Sequence, residues 1–224
     1  MLPDSECLSD RQLGLIRSFV ANGGGLVATG QAGLYDEWRR LRVEPGLHGL
    51  ADGQASAEAY EESPRGLSTA AGPPVRKQVG RGRAVYIPGV KFDGPMPEAA
   101  PYFAISNRFW KLPKNWQDIV ASVRWAASDE IPLKVSGPNH LVANLVEQSA
   151  QRRWIVHLVN YDPGHAPIES IEVECRLPKG MTAKQVTLYS PDAAANQLRF
   201  TTQVESVVFT VPEVRTYSVV AVGW

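Results

Sequence analysis

Apolar side chains recur at Leu13, Ile16 and Val20, an i, i+3, i+7 pattern that Leu15 and Phe19 widen. That period is helical. Ser9 followed three residues later by Gln12 is a capping-box signature, so a helix is predicted to start there. Gly23, just past Asn22, offers the positive φ that ends it. The glycine-bounded run Gly25-Leu26-Val27-Ala28-Thr29-Gly30 predicts a buried parallel strand, and Leu2-Pro3 reads as the tail of another. Strand end, helix and strand make half of a doubly wound α/β unit. Residues 46–74 hold no period and predict a long loop with at most one short helix. Residues 80–88 predict a turn feeding a strand, with Val85 and Ile87 on one face and Ala84 and Tyr86 on the other. Residues 94–114 are irregular and punctuated by proline. Asn115 then caps a second predicted helix, with Asp118 at its third position. Its expected buried stripe is Trp116, Ile119 or Val120, and Val123, and it ends near Ala127.

From Leu133 the period changes to two. Strands are predicted at 133–135, 140–147, 153–160, 170–177, 184–189, 197–202, 207–211 and 216–222. Gly137-Pro138, Asp162-Pro163-Gly164, Pro178-Lys179-Gly180 and Ser190-Pro191-Asp192 mark turns between them. Short strands so spaced predict an antiparallel sandwich. Val173, Cys175 and Leu177 alternate with Glu172, Glu174 and Arg176, as a half-buried strand requires. The expected fold class is therefore α/β followed by all-β: a partial parallel sheet with helices over 1–128, a linker near 128–132, and a β-sandwich over 132–224.

Composition narrows the function classes. The chain has 224 residues, 44 % of them hydrophobic and 21 % charged, which fits a folded globular chain rather than a disordered one. Lys+Arg and Asp+Glu both number 23, so the basic excess of a nucleic-acid binder is missing and no nucleic-acid partner is expected. No apolar run reaches the roughly 18 residues that span a membrane. The acidic opening Met1-Leu2-Pro3-Asp4-Ser5-Glu6 does not read as a signal peptide. No membrane partner is expected, and the expected compartment is cytoplasmic. Cys7 and Cys175 lie far apart and are expected to be reduced thiols.

Several segments carry a family resemblance. Leu2-Pro3-Asp4, Cys7-Leu8-Ser9-Asp10, Phe19 through Gly30 and Leu34-Tyr35-Asp36-Glu37 resemble the trimerisation domain of family 42-type β-galactosidases and related glycosyl hydrolases. Gly80-Arg81-Gly82-Arg83-Ala84-Val85-Tyr86-Ile87-Pro88-Gly89 is similar to a later strand of that domain. His157-Leu158-Val159-Asn160-Tyr161-Asp162 resembles a strand of the β-sandwich that follows it. The resemblance thins between residues 43 and 74. It implies a flavodoxin-like, class I glutamine-amidotransferase-like first domain. It also implies a parent enzyme with a catalytic barrel ahead of these domains. Such a barrel takes about 250 residues, and no room for one exists here. The first strands of the flavodoxin-like sheet are expected to be missing too, as in a C-terminal piece or a stand-alone remnant. An edge left open in this way templates further pairing, so it is expected to be covered, most simply by self-association.

Catalytic chemistry is thin. Glycoside hydrolysis needs two carboxyl groups about 5–5.5 Å or 6.5–9.5 Å apart across a sugar. The adjacent pairs Asp36-Glu37, Glu61-Glu62 and Asp129-Glu130 point apart and read as solvated loop residues. Cys7 precedes a helix cap, which invites a nucleophile reading. It lacks the Gly-x-Cys-x-Gly elbow that the amidotransferase resemblance implies, and no His-x-Glu follows. His48, His140, His157 and His165 have no metal-ligand spacing. Gly23-Gly24-Gly25 enters a strand rather than a helix, so it is no dinucleotide loop. Arg76, Lys77, Arg81 and Arg83 read as a solvated hairpin. No catalytic residue, metal or cofactor is expected, and the chain alone is not expected to be an enzyme.

Of the six tryptophans, Trp116 and Trp154 read as core. Trp38 and Trp110, in irregular regions, are candidate contacts for a partner chain or a carbohydrate, together with Tyr35 and Asp36. The leading expectation is a non-catalytic oligomerisation or scaffold module related to glycosyl hydrolases, working as a homo-oligomer or with an upstream catalytic barrel. A carbohydrate-binding module using loop aromatics is the alternative, and a degenerate amidotransferase-like hydrolase the third.

Overall fold

Ser9 starts helix α1 (Asp10–Ala21) through both arms of the capping box. The Gln12 N–H donates to Ser9 Oγ over 3.3 Å, and the Ser9 N–H to Gln12 Oε1 over 2.8 Å. At the other end the Gly23 N–H donates to Val20 O and the Gly24 N–H to Phe19 O. That paired arrangement is a Schellman stop, with Gly23 at φ 113°. Leu13 and Val20 are buried, but Leu15 and Phe19 stay mostly exposed, so the buried stripe is narrower than the apolar count suggests.

The computed structural model describes residues 1–50, 72–94, 111–162, 164 and 166–224. They divide into two compact units, Met1–Glu130 and Ile131–Trp224. In the first unit, β1 (Leu2–Pro3), β2 (Gly25–Thr29), β3 (Val75–Val79) and β4 (Gly82–Ile87) form one sheet in the order β1-β2-β4-β3. β1, β2 and β4 run parallel, and β3 returns antiparallel on the β4 edge. Alternation then assigns the two faces. Leu26, Ala28, Ala84 and Tyr86 pack with Leu13 and Val20 of α1. Val27, Val85 and Ile87 pack with α2 (Trp116–Ala126) on the other side. Gly82 has to be glycine, because a Cβ there would overlap the Val20 and Gly24 carbonyl oxygens.

Two local expectations are corrected. Of the stripe expected on α2, Ile119 belongs to the buried one, which runs on through Ser122 and Ala126 with Trp125; Trp116 is half-buried, and Val120 and Val123 lie outside it. Val120 and Val123 are exposed, because small Ser122 and Ala126 bring the helix backbone close to the sheet at Gly25. Asn115 sits at the N-cap position and its carbonyl accepts from the Asp118 and Ile119 N–H groups, but its side chain makes no capping bond. Its amide accepts from the Lys91 N–H and donates to Gly89 O, tying the helix start to the segment after β4.

The second unit is two antiparallel sheets packed as a sandwich. One has the order β10-β9-β13-β7-β6: β6 (Leu141–Gln148), β7 (Arg153–Asn160), β9 (Gln185–Ser190), β10 (Ala193–Gln197) and β13 (Tyr217–Gly223). The other has the order β11-β12-β8-β5: β5 (Leu133–Val135), β8 (Ile168–Arg176), β11 (Phe200–Thr202) and β12 (Ser206–Val214). Val156, Leu158, Val220 and Val222 from the first meet Val173, Cys175, Phe209 and Val211 from the second in one core. The single strand predicted over 197–202 is two, β10 and β11. Ala193-Ala194-Ala195 shows no alternation and is exposed throughout, which hides a strand from pattern reading.

Candidate functional site

Open parallel sheets bind ligands outside the carboxyl ends of their strands. In the first unit that region is occupied by structural bonds. Asp4, after β1, donates its N–H to Thr29 Oγ1 over 3.0 Å, and its Oδ1 accepts from the Gln31 N–H over 2.7 Å. The buried Tyr86 hydroxyl donates to Gly30 O over 2.9 Å. Past β4 the chain is Pro88-Gly89, with no nucleophile to present.

The loop leaving β2 carries three of the four candidate contacts. Tyr35 bridges Cys7 and Leu41 through its backbone, and the Arg39 guanidinium lies 5.5 Å from its ring centroid. Arg39 also pairs with Glu6 at 3.0 Å. Asp36 is turned inward on its own loop. Its Oδ1 accepts the N–H groups of Trp38 and Arg40, each at 2.9 Å, and its Oδ2 accepts Arg40 Nε at 2.7 Å. The Arg40 N–H above all, then its guanidinium and the Trp38 N–H, hold the Asp36 carboxyl below its ordinary value against a smaller opposing effect of burial. So Asp36 shapes the loop and has little acceptor capacity for a ligand. Further along, Arg42 donates to Asp10 and to Leu8 O, both at 2.6 Å. Arg17 of α1 clamps the loop's far end through Gly46 O and His48 O.

On this braced frame Trp38 is 72 % exposed. Trp110 lies outside the described residues. The bracing residues Arg39, Arg40 and Arg42 are not evident as such from sequence. They read there only as a charged stretch, although Asp36 and Arg40 at i, i+4 are the spacing of a local pair.

The remaining candidates separate. Cys175 is wholly buried in the sandwich, and burial pushes its thiol up to about 12. Cys7 is exposed in the other unit. His157 Nδ1 lies 2.6 Å from the Tyr217 hydroxyl on the outer sheet face. His165 and the pair Glu61-Glu62 fall outside the described residues. Among the described residues no three His, Cys, Asp or Glu side chains gather as a metal site would require. Arg76 and Arg83 are not simply solvated: their guanidinium carbons lie 5.6 and 5.2 Å from the Trp125 ring centroid, and Arg83 Nη1 donates to Trp125 O over 2.9 Å.

No family model matches the chain, and no curated protein matches it. Solved structures do. All of this chain superposes on 40 % of the chain of α-L-fucosidase isoenzyme 2 from Paenibacillus thiaminolyticus, with TM-score 0.56 and 20 % identity. The β-galactosidase from Bacillus circulans sp. alkalophilus matches 99 % of this chain over 32 % of its own, at TM-score 0.48 and 11 % identity. Gan42B, a GH42 β-galactosidase from G. stearothermophilus, matches 98 % over 31 %, at TM-score 0.47 and 15 % identity. The fold of this chain, a small mixed sheet with two helices and then a sandwich, is thus also found as part of a longer glycosidase chain. It spans less than half of each of these relatives. No helix among the described residues is long and apolar enough to cross a membrane.

Proposed function

We propose that the chain is a non-catalytic assembly module of glycoside-hydrolase type, with domains at 1–128 and 132–224. It holds subunits together or frames an active site supplied by a catalytic barrel. The observation that carries this reading is Trp38. A large aromatic exposed at 72 % stands on a loop held by the Asp36, Arg39, Arg42 and Arg17 bonds. A rigid aromatic of this kind loses little entropy on docking, the property of an interface anchor. Of the two carboxylates just before it, Asp36 is already used by the loop, while Glu37 stays exposed. One open carboxylate leaves the ring itself to supply most of the contact, as an interface anchor does.

Sedimentation velocity of the whole chain tests the reading. Concentration-dependent association is expected, weakened about tenfold or more by Trp38→Ala, in the range of an anchor residue. Titration with neutral oligosaccharides followed by tryptophan fluorescence is the rival arm. A saturable change abolished by Trp38→Ala would favour the carbohydrate-binding alternative, for which the same exposed ring is the specific support.

A further inference from the structure

Within the second unit a cleft of about 780 Å³ opens between the β9–β10 hairpin and the end of β12. That is the size of a small-ligand site. The short side chains of Ala193, Ala194 and Ala195 line it and leave it open. Around this apolar floor stand polar groups with capacity to spare. Arg215 bonds Glu213 through Nε, and among the described residues its Nη groups have no further partner. Glu213, by that bond and its charge, and Asp192, by charge alone, raise the Arg215 guanidinium above its ordinary value. Asp192 uses only its backbone N–H, which donates to Ser190 Oγ over 3.2 Å. Among the described residues neither its carboxylate nor the Asn196 amide makes a hydrogen bond. This is the reverse of Asp36, whose oxygens are filled by its own loop. One step along from the Val219–Tyr189 pair, the register sets Ser218 opposite Ser190 on the inward face. Ser218 is 1 % exposed and its hydroxyl has no partner. An unpaired buried hydroxyl is rare in a folded chain, and this one stands beside a residue that lines the cleft.

We propose that this cleft binds a short uncharged saccharide. The inference concerns the second unit alone and does not rest on the Trp38 reading. Sugar hydroxyls donate and accept together, and the cleft offers both: carboxylate oxygens at Asp192 and Glu213, donors at Arg215, and one of each at Asn196. The alanine floor suits the C–H face of a sugar ring, as apolar lining with a few placed polar groups suits small ligands generally. Two carboxylates against one guanidinium leave the cleft acidic, which turns away phosphate and other anions. Among the described residues no third ligand group joins the carboxylates, as a bound metal would need. An extended peptide is also disfavoured. Pro212 lacks an N–H, and β10 shifts register between Ala193 and Asn196, so neither wall carries the regular ladder that strand addition uses.

The test is a chemical-shift titration of the full chain, labelled with nitrogen-15, with maltose, cellobiose and lactose as probes and inorganic phosphate as the anion control. At least one sugar should shift the amides of residues 188–196 and 213–216 saturably, in the millimolar range expected of an open cleft. Asp192→Ala should weaken that binding about tenfold, the loss of a hydrogen bond to a charged group. Ala194→Trp should fill the cleft and abolish it, and Trp38→Ala should leave it unchanged. Resonances outside the hairpin report that each variant is folded, and Asn196→Ala replaces either one whose other resonances move. No shift at the cleft with any of the three sugars overturns the proposal. So does a response to phosphate in place of the sugars, or a cleft response that survives the variants. Shifts confined to the Trp38 loop overturn it too, and favour the carbohydrate-binding alternative at that loop.

Discussion

Asp36 shows how one carboxylate sets the character of a surface loop. With Trp38 and Arg40 N–H groups on Oδ1 and the Arg40 guanidinium on Oδ2, it is a structural acceptor. Its folded pKa is depressed below the ordinary 3.8, led by the Arg40 N–H. A depressed carboxyl contributes stability that is present above the unfolded value and lost as pH falls through the folded one. The loop around Trp38 is therefore expected to keep its geometry at neutral pH and to loosen in acid, below 3.8. NMR titration of the Arg40 amide checks this. The expected midpoint lies under the ordinary value, and one at or above it contradicts the arrangement. Asp36→Ala should reproduce the loosening at neutral pH, read as faster amide exchange at Trp38 and Arg40. A comparable change in the amides of β2 would point to a wider role than the loop.

At the scale of elements, the hairpin β3–β4 and helix α2 are joined by Trp125 set between Arg76 and Arg83. Arg83→Ala removes a cation–π contact and the bond to Trp125 O, and should lower stability in urea by about 1–2 kcal/mol. Arg81→Ala, an exposed neighbour, should change it by less than about 0.5 kcal/mol. Equal effects would mean that the clamp contributes nothing. These residues also show what pattern reading can reach. Local rules found α1, because the Ser9–Gln12 box and the Gly23 stop are complete within one stretch of chain. They found most sandwich strands because one buried face forces alternation. They missed the face of α2, since Ser122 and Ala126 are chosen by close approach to the sheet rather than by size. The same limit applies to the candidate site. Trp38 could be named from sequence, but its exposure and the consumption of Asp36 depend on Arg39, Arg40 and Arg42 folding back onto Glu6, Asp36 and Asp10.

At the scale of the whole molecule, the sandwich core draws every member from Ile131–Trp224, with Leu158, Val173, Val186 and Phe209 almost fully shielded. A unit that supplies its whole core and pairs all but its edge strands on both sides is equipped to fold alone. Residues 131–224 expressed separately are therefore expected to unfold cooperatively. Leu158→Ala should lower their stability by about 2–5 kcal/mol, the range for deleting a buried leucine. Near-ultraviolet dichroism reads the packing directly, since Trp154 and Trp224 lie 5.8 Å apart at a tilt of 48° in this unit. A fragment with strand content but no near-ultraviolet signal would show that the core needs support from elsewhere in the chain. If the fragment folds and also associates, a surface of the sandwich acts on its own. If it folds but stays monomeric while the full chain associates, assembly belongs to the first unit, and the Trp38 loop is the surface that then has to carry it.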